Sequence, residues 1–175
     1  MSTLKIQVGS EDHVQGNAKA ACTLVEYGDY QCSNCGEAHP LVKEIQAQFG
    51  KQLRFVFRNF PLTKIHAEAQ AAAEVAEFAG SLGKFWEMHN LLLENQKNLG
   101  QELYATLAGT LQLSADALQS ALANKTFADR VRADFTGGVR SGVNGTPTFF
   151  INGLRYDNPM DYASMVQAIE KALAA

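Results

Sequence analysis

Several things are scarce in this 175-residue chain, and each scarcity excludes something. Three cysteines, an odd number, cannot form a fully paired framework of structural disulfides. Four prolines and fourteen glycines, with no repeat or low-complexity tract, are far from a collagen-like or disordered composition. Fifteen basic side chains against eighteen acidic ones leave a formal net charge of −3. Without a basic field to attract phosphates, nucleic-acid binding is excluded as a reading. Polar residues interrupt every apolar run well short of about 20 residues, so no membrane span is expected. Met1 to Gly9 have neither an apolar h-region nor a small-residue cleavage site. The expected compartment is therefore the cytoplasm as written, or the periplasm if a signal has been removed. What is present, 46% hydrophobic and 19% charged residues, is a globular composition of about one domain's length. Such a domain buries roughly 70% of the surface its unfolded chain exposes, and a monomer is expected.

A short strand is predicted at Leu4–Val8 in a polar leader. Cys22-Thr23-Leu24-Val25-Glu26-Tyr27 is apolar and β-branched and ends at Gly28-Asp29, which reads as a buried strand. After Cys32 the pattern turns helical: Leu41, Ile45 and Phe49 recur at spacing four, Gly50 stops the run, and Pro40 lies inside it. Leu53 to Arg58 reads as a second strand. An alanine-dense helix is predicted from His66 to Ala79, then helices carrying Phe85 to Leu92, Leu103 to Leu111 and Ala115 to Leu118, the last capped by Ser114. A further helix with Phe127, Val131 and Phe135 is predicted to end at Gly137-Gly138. Thr148–Ile151 and Leu154–Tyr156 read as strands joined by Asn152-Gly153, a type I′ hairpin signal. Asn158 and Pro159 are predicted to open the last helix. The order is β-α-β, a block of helices, then β-β-α.

The chemistry centres on Cys32-Ser33-Asn34-Cys35. At a helix start, unpaired backbone N–H groups and the positive helix end lower the Cys32 pKa and make thiolate available. Cys35, one turn deeper, would resolve a mixed disulfide formed at Cys32. Ser33 and Asn34 are each placed to hydrogen-bond the Cys32 sulfur. The competing reading is half of a metal site; a zinc ribbon needs a second cysteine pair, which is absent, but Cys32, Cys35 and His39 would make three ligands. Otherwise His39 reads as a solvated or capping histidine. Cys22, in an apolar strand, reads as a buried inert thiol. His13 and His66 have no partner visible in the sequence, and Trp86 reads as core. A second feature is Gly145-Thr146-Pro147-Thr148, a proline just before a strand. It is either an ordinary turn or a cis proline facing the sulfurs, which would free the Thr146 backbone to pair with an extended substrate.

With these motifs on the page, the chain resembles the DsbA-like thiol-disulfide oxidoreductases of the thioredoxin-fold superfamily. The resemblance rests on Val25 to Tyr27, Asp29 to Cys35, Pro40, Arg58 to Leu62, Phe85 to His89 and Gly145 to Gly153, and it extends from about Ala20 to Leu173. It implies an α/β thioredoxin fold, with residues 20–62 and 140–175 as its core and residues 63–139 as an inserted helical domain. It also implies Cys32 as nucleophile, Cys35 as resolving cysteine and Thr146-Pro147 as a substrate-contacting loop. Glu26 falls where the family often keeps a buried acid that accepts the Cys35 proton; a strand-end residue facing water is the alternative. Tyr30, with Phe60 and Phe149, is a candidate for an aromatic groove that holds substrate. No cofactor is implied beyond a redox-active Cys32–Cys35 disulfide. The implied partners are protein or peptide thiols and disulfides, with glutathione or a recycling partner also in view. Ser-Asn between the cysteines differs from Pro-His and Gly-Pro, so the direction of electron flow stays open. The rival functions are a glutathione-dependent transferase or isomerase on the same scaffold, and a non-catalytic zinc-binding or client-binding module.

Overall fold

The computed structural model describes residues 2–175. Five strands, β1 (His13–Gly16), β2 (Cys22–Gly28), β3 (Leu53–Asn59), β4 (Thr148–Ile151) and β5 (Leu154–Tyr156), form one sheet in the order β1-β3-β2-β4-β5. β2 and β3 are parallel and joined by α1 (Ser33–Phe49). β4 runs antiparallel to β2, with Glu26 opposite Phe149 and, on the other side, Phe57. Between β3 and β4 in sequence lie α2 (Ala69–Ser81), α3 (Phe85–Glu94), α4 (Gln101–Thr110), α5 (Ala115–Ala123) and α6 (Ala128–Arg140); α7 (Tyr162–Leu173) closes the chain. This is the mixed α/β thioredoxin fold anticipated from the sequence.

Strand alternation sorts the core into two clusters. Leu24, Phe55, Phe57, Phe149 and Ile151 pack with Cys35, Ala38, Ile45, Met165 and Ile169 from α1 and α7. Val25, Tyr27, Val56 and Phe150 face the other way, against Leu4, Phe60, Val143 and Phe135. Glu26 is two residues from Leu24, so the same alternation turns it toward the face that α1 covers.

Three local expectations are corrected. No strand forms at Leu4–Val8. Instead Thr3 bridges Leu154, and the Ser2 carbonyl and Leu4 N–H bond to Arg155 and Gly153, covering the edge of β5. The first strand is the polar His13–Gly16, which pairs antiparallel with β3. α6 does not stop at Gly137-Gly138 but runs on to Arg140, before Gly142 turns the chain at φ +85°. The last helix is capped by Asp161, whose carboxylate accepts the Ser164 N–H at 2.8 Å, rather than by Asn158. Other local signals hold. Ser114 caps α5, and both hairpin residues, Asn152 and Gly153, have positive φ.

Gly138 is small because α6 presses on the sheet. A Cβ there would stand 2.7 Å from a Phe60 ring carbon and 3.0 Å from a Tyr27 ring carbon. At Gly109, in α4, a Cβ would meet nothing within 4 Å. Gly138→Ala should therefore cost about 1–2 kcal/mol of stability through overpacking, whereas Gly109→Ala should add about 0.5–1 kcal/mol by helix propensity alone. Urea unfolding midpoints of the two variants should move in opposite directions.

Candidate active site

β2 ends at Gly28, and α1 begins at Ser33 with Cys32 as the residue before its first turn, at φ −71° and ψ 121°. This places both sulfurs at the amino end of α1. Cys32 keeps 7% of its surface exposed and Cys35 none, so only Cys32 can meet another molecule. All three cysteines are free thiols in this structure.

The Cys32 sulfur lies 3.4 Å from the Thr146 carbonyl oxygen, to which a protonated thiol donates. As a thiolate it becomes an acceptor for the Cys35 thiol first, then for the Thr146 hydroxyl and the backbone N–H groups of Cys35 and Asn34. The Thr146 hydroxyl is buried and makes no hydrogen bond to any described residue, which leaves it free to turn toward the thiolate. Together these donors outweigh partial burial and bring the Cys32 pKa down to about 5. The same sulfur–sulfur hydrogen bond, with burial and the neighbouring Glu26, holds the Cys35 proton tightly and raises its pKa far above the ordinary thiol range. Ser33 and Asn34 are exposed, and the donor is the Asn34 backbone rather than either side chain. Cys22 is fully buried, and burial pushes its thiol up to about 11.

The sequence left two readings of Glu26, and it is buried. Burial first, and the Cys32 charge second, push its pKa up to about 8. The Thr146–Pro147 peptide is cis, with the Thr146 carbonyl facing Cys32. The expected aromatic groove is absent: Tyr30, Phe60 and Phe149 are 1%, 2% and 3% exposed. Tyr30 turns inward, its hydroxyl sharing a hydrogen bond with His89 Nδ1 at 2.9 Å, so its side chain offers no substrate surface. His39 is neither solvated nor a cap; its side chain is 9% exposed. No three His, Cys, Asp or Glu side chains among the described residues converge as a metal ion would require.

Asp29, His66 and Gln96, to none of which a role is assigned from the sequence, hold this arrangement. The Asp29 carboxylate accepts the Gln31 and Leu62 N–H groups at 2.8 and 2.9 Å and lies 2.8 Å from His66 Nδ1, while its own N–H reaches the Cys35 sulfur at 3.5 Å. It thereby ties the loop before α1 to the loop after β3. Gln96, in a turn after α3, donates to the Tyr30 and Cys32 carbonyls, each at 2.8 Å. A side chain at position 36 would collide with the Gln96 amide, which accounts for Gly36. Asp, His and Gln at these spacings match no local motif, and only the fold brings them together.

The family described as Thioredoxin matches residues 9–171. The chain belongs to the thioredoxin family. It superposes on oxidised BdbD from Bacillus subtilis with a TM-score of 0.89 and 26% identity, covering 100% of both chains. On the thiol-disulfide exchange protein alpha-DsbA2 from Wolbachia pipientis the TM-score is 0.78, with 18% identity over 93% of this chain and 87% of that one. The DsbA-like form of the fold thus agrees with the resemblance in the motifs, and the enzyme class expected from the sequence is that of its structural neighbours. Over 163 residues the chain is also 43% identical to the Na(+)/H(+) antiporter NhaA 1 of Salinispora arenicola, covering 93% of this chain and 25% of that protein. The chain therefore spans about a quarter of the length of the curated relatives it matches. No helix among the described residues is long and apolar enough to cross a membrane.

The two perturbed groups act oppositely on stability. Glu26, raised from 4.5 to about 8, stabilises the fold below pH 4.5, and that contribution is lost as pH rises through 8. Cys32, lowered from 9.0 to about 5, stabilises the reduced fold above pH 9, and that contribution is lost as pH falls through 5. Relative to the reduced wild type, Glu26→Gln should therefore gain stability steadily from pH 5 to 8, and Cys32→Ser should lose it over the same range. Denaturant unfolding at several pH values checks both slopes. Parallel pH profiles for all three proteins would contradict the assignments.

Proposed function

We propose that the chain is a thiol–disulfide oxidoreductase that exchanges disulfides with cysteine-containing proteins or peptides through Cys32 and Cys35. The observation that carries this reading is the inequality of the two sulfurs: one exposed at its edge and ionised near neutral pH, the other buried and protonated. A pair of that kind divides the roles of nucleophile and resolving thiol.

In the oxidising direction, a client thiolate attacks the Cys32 sulfur of a Cys32–Cys35 disulfide. The sulfur–sulfur bond breaks, Cys35 leaves with the electron pair, and Glu26 supplies its proton. A second client thiolate then attacks its own mixed disulfide and expels Cys32 as a thiolate. The site stabilises that leaving group, which favours the reduced protein and makes the disulfide a strong oxidant. Thr146 and Pro147 would bound the place where an extended client lies beside Cys32, with the exposed Ser33 and Asn34 on the opposite rim. A glutathione-rich cytosol would hold this dithiol reduced, so net oxidation calls for an oxidising compartment or an oxidant partner. The redox-active Cys32–Cys35 disulfide would be its only prosthetic element.

In a dithiol-oxidation assay on a reduced client protein, Cys32→Ser should abolish turnover, and Cys35→Ser should accumulate a client mixed disulfide visible on non-reducing gels. Thiol alkylation of the reduced protein should titrate with a midpoint near pH 5, as the Cys32 environment requires. Full activity in Cys32→Ser would overturn the reading.

A further inference from the structure

Glu26 is almost wholly buried, yet each turnover of the proposed reaction moves a proton on or off it. The structure offers a way in. Glu26 forms part of the wall of a cavity of about 310 Å³ that neither sulfur lines and that runs along α1 from His39 to Ala47. That volume has room for several water molecules. Its lining mixes apolar Val42 and Phe55 with polar Gln15, His39, Lys43, Gln46 and Asn90, and exposed Lys43 and Ala47 mark the side open to solvent. Gln46 Nε2 donates to Gln15 Oε1 at 3.0 Å across it.

His39 stands out in this wall. It follows Cys35 by one helical turn. Its Nε2 is buried and without a hydrogen-bond partner, an unusual state for a ring nitrogen. Glu94 Oε1 lies 3.6 Å away, on a carboxylate that is half exposed and paired with Lys43 at 3.1 Å. One residue thus spans the interior cavity and a surface carboxylate.

We propose that this cavity is the port through which protons reach and leave Glu26, and that His39 passes them between the cavity and Glu94 at the surface. The proposal rests on the thiol-exchange reading and assigns its missing proton route. When Cys35 leaves a disulfide, Glu26 gives it a proton and becomes a carboxylate; one proton from solvent, carried in by His39 and water, restores the acid. When Cys35 attacks a mixed disulfide, the same proton travels outward.

The surrounding groups suit this traffic. Burial, together with the Lys43 charge, outweighs the Glu94 carboxylate and lowers the His39 pKa, so the ring is neutral at pH 7 and can both accept and donate. His89, 5.7 Å from His39 between ring centres, is held neutral by burial and occupied by the Tyr30 hydroxyl. His13, farther off, is engaged by Glu77 at 2.9 Å. Cys32 and Cys35 face Glu26 from α1 and are the groups it serves. His39 touches no reacting atom; it is a positioning residue for the proton.

The test follows reduction of the disulfide form by a cysteine peptide in acid-quenched rapid mixing at pH 7. His39→Leu should slow this step about fivefold. Added imidazole, small enough to enter the cavity, should restore the rate while leaving the wild type unchanged. The glutathione equilibrium constant should stay within about twofold of the wild-type value, because a relay alters rate and not endpoint. His39→Gln, which keeps the polarity without a titrating ring, should be slow in the same way and rescued in the same way. A wild-type rate in both variants would overturn the port, as would a slow rate that imidazole does not restore or that is matched by a shifted equilibrium. Absence of exchange in the unmutated protein would instead remove the function on which the port rests.

Discussion

The closeness of two sulfurs sets the terms for the rest of the molecule. The Cys35 thiol donates to the Cys32 thiolate, which lowers one pKa and raises the other, so a single contact creates both a nucleophile and a protected proton. Such a bond survives only if the two side chains cannot drift. α1 supplies the spacing, and its first N–H groups add to the anion's stabilisation. Asp29 anchors the approach to the helix, Gln96 clasps the carbonyls of Tyr30 and Cys32, and the Thr146 carbonyl and hydroxyl close the remaining side. Four separate parts of the chain thus hold the cysteine pair in place.

The geometry also explains why an acid sits in a central strand. Glu26 lies between Phe57 and Phe149 in the sheet register, where an ionised carboxylate is expensive to bury. It therefore keeps its proton near neutral pH, beside the buried thiol that the proposed exchange must protonate. The opposing effects of Glu26 and Cys32 on stability are the energetic signature of that choice. Each perturbed pKa adds or removes stability over nearly the same pH range, so the reduced protein avoids the full effect of either.

The sequence carried the scaffold because its signals were local. The Cys-x-x-Cys spacing, the apolar run of β2, the α1 stripe ending at Gly50 and the Asn152-Gly153 turn each depend on residues close in the chain. What stayed hidden depends on residues far apart. β1 is polar because it is an edge strand: His13 finds Glu77 and stacks on Phe85, and Trp86 donates to the Val14 carbonyl, none of which periodicity reveals. Gly137-Gly138 reads as a helix stop, yet the glycines admit the aromatic rings of Phe60 and Tyr27. Tyr30 beside the cysteines reads as a substrate contact, yet its hydroxyl is drawn inward by His89. Glu26 carries a signal of its own: in a strand that reads as buried, a charged residue must face a function or a partner.

A low Cys32 pKa also has a consequence for the fold as a whole. A drop from 9.0 to about 5 corresponds to on the order of 5 kcal/mol of preferential interaction with the thiolate. That interaction exists only in the folded, reduced protein, because forming a disulfide removes the charge. By linkage, whatever the fold gives to the thiolate it withholds from the disulfide, so reduction and folding reinforce each other. The donors that supply this energy come from the amino end of α1 and from the loop before β4, and Gln96 ties the first of these to the helices between β3 and β4. Those helices therefore reach the Cys32 backbone without touching its sulfur.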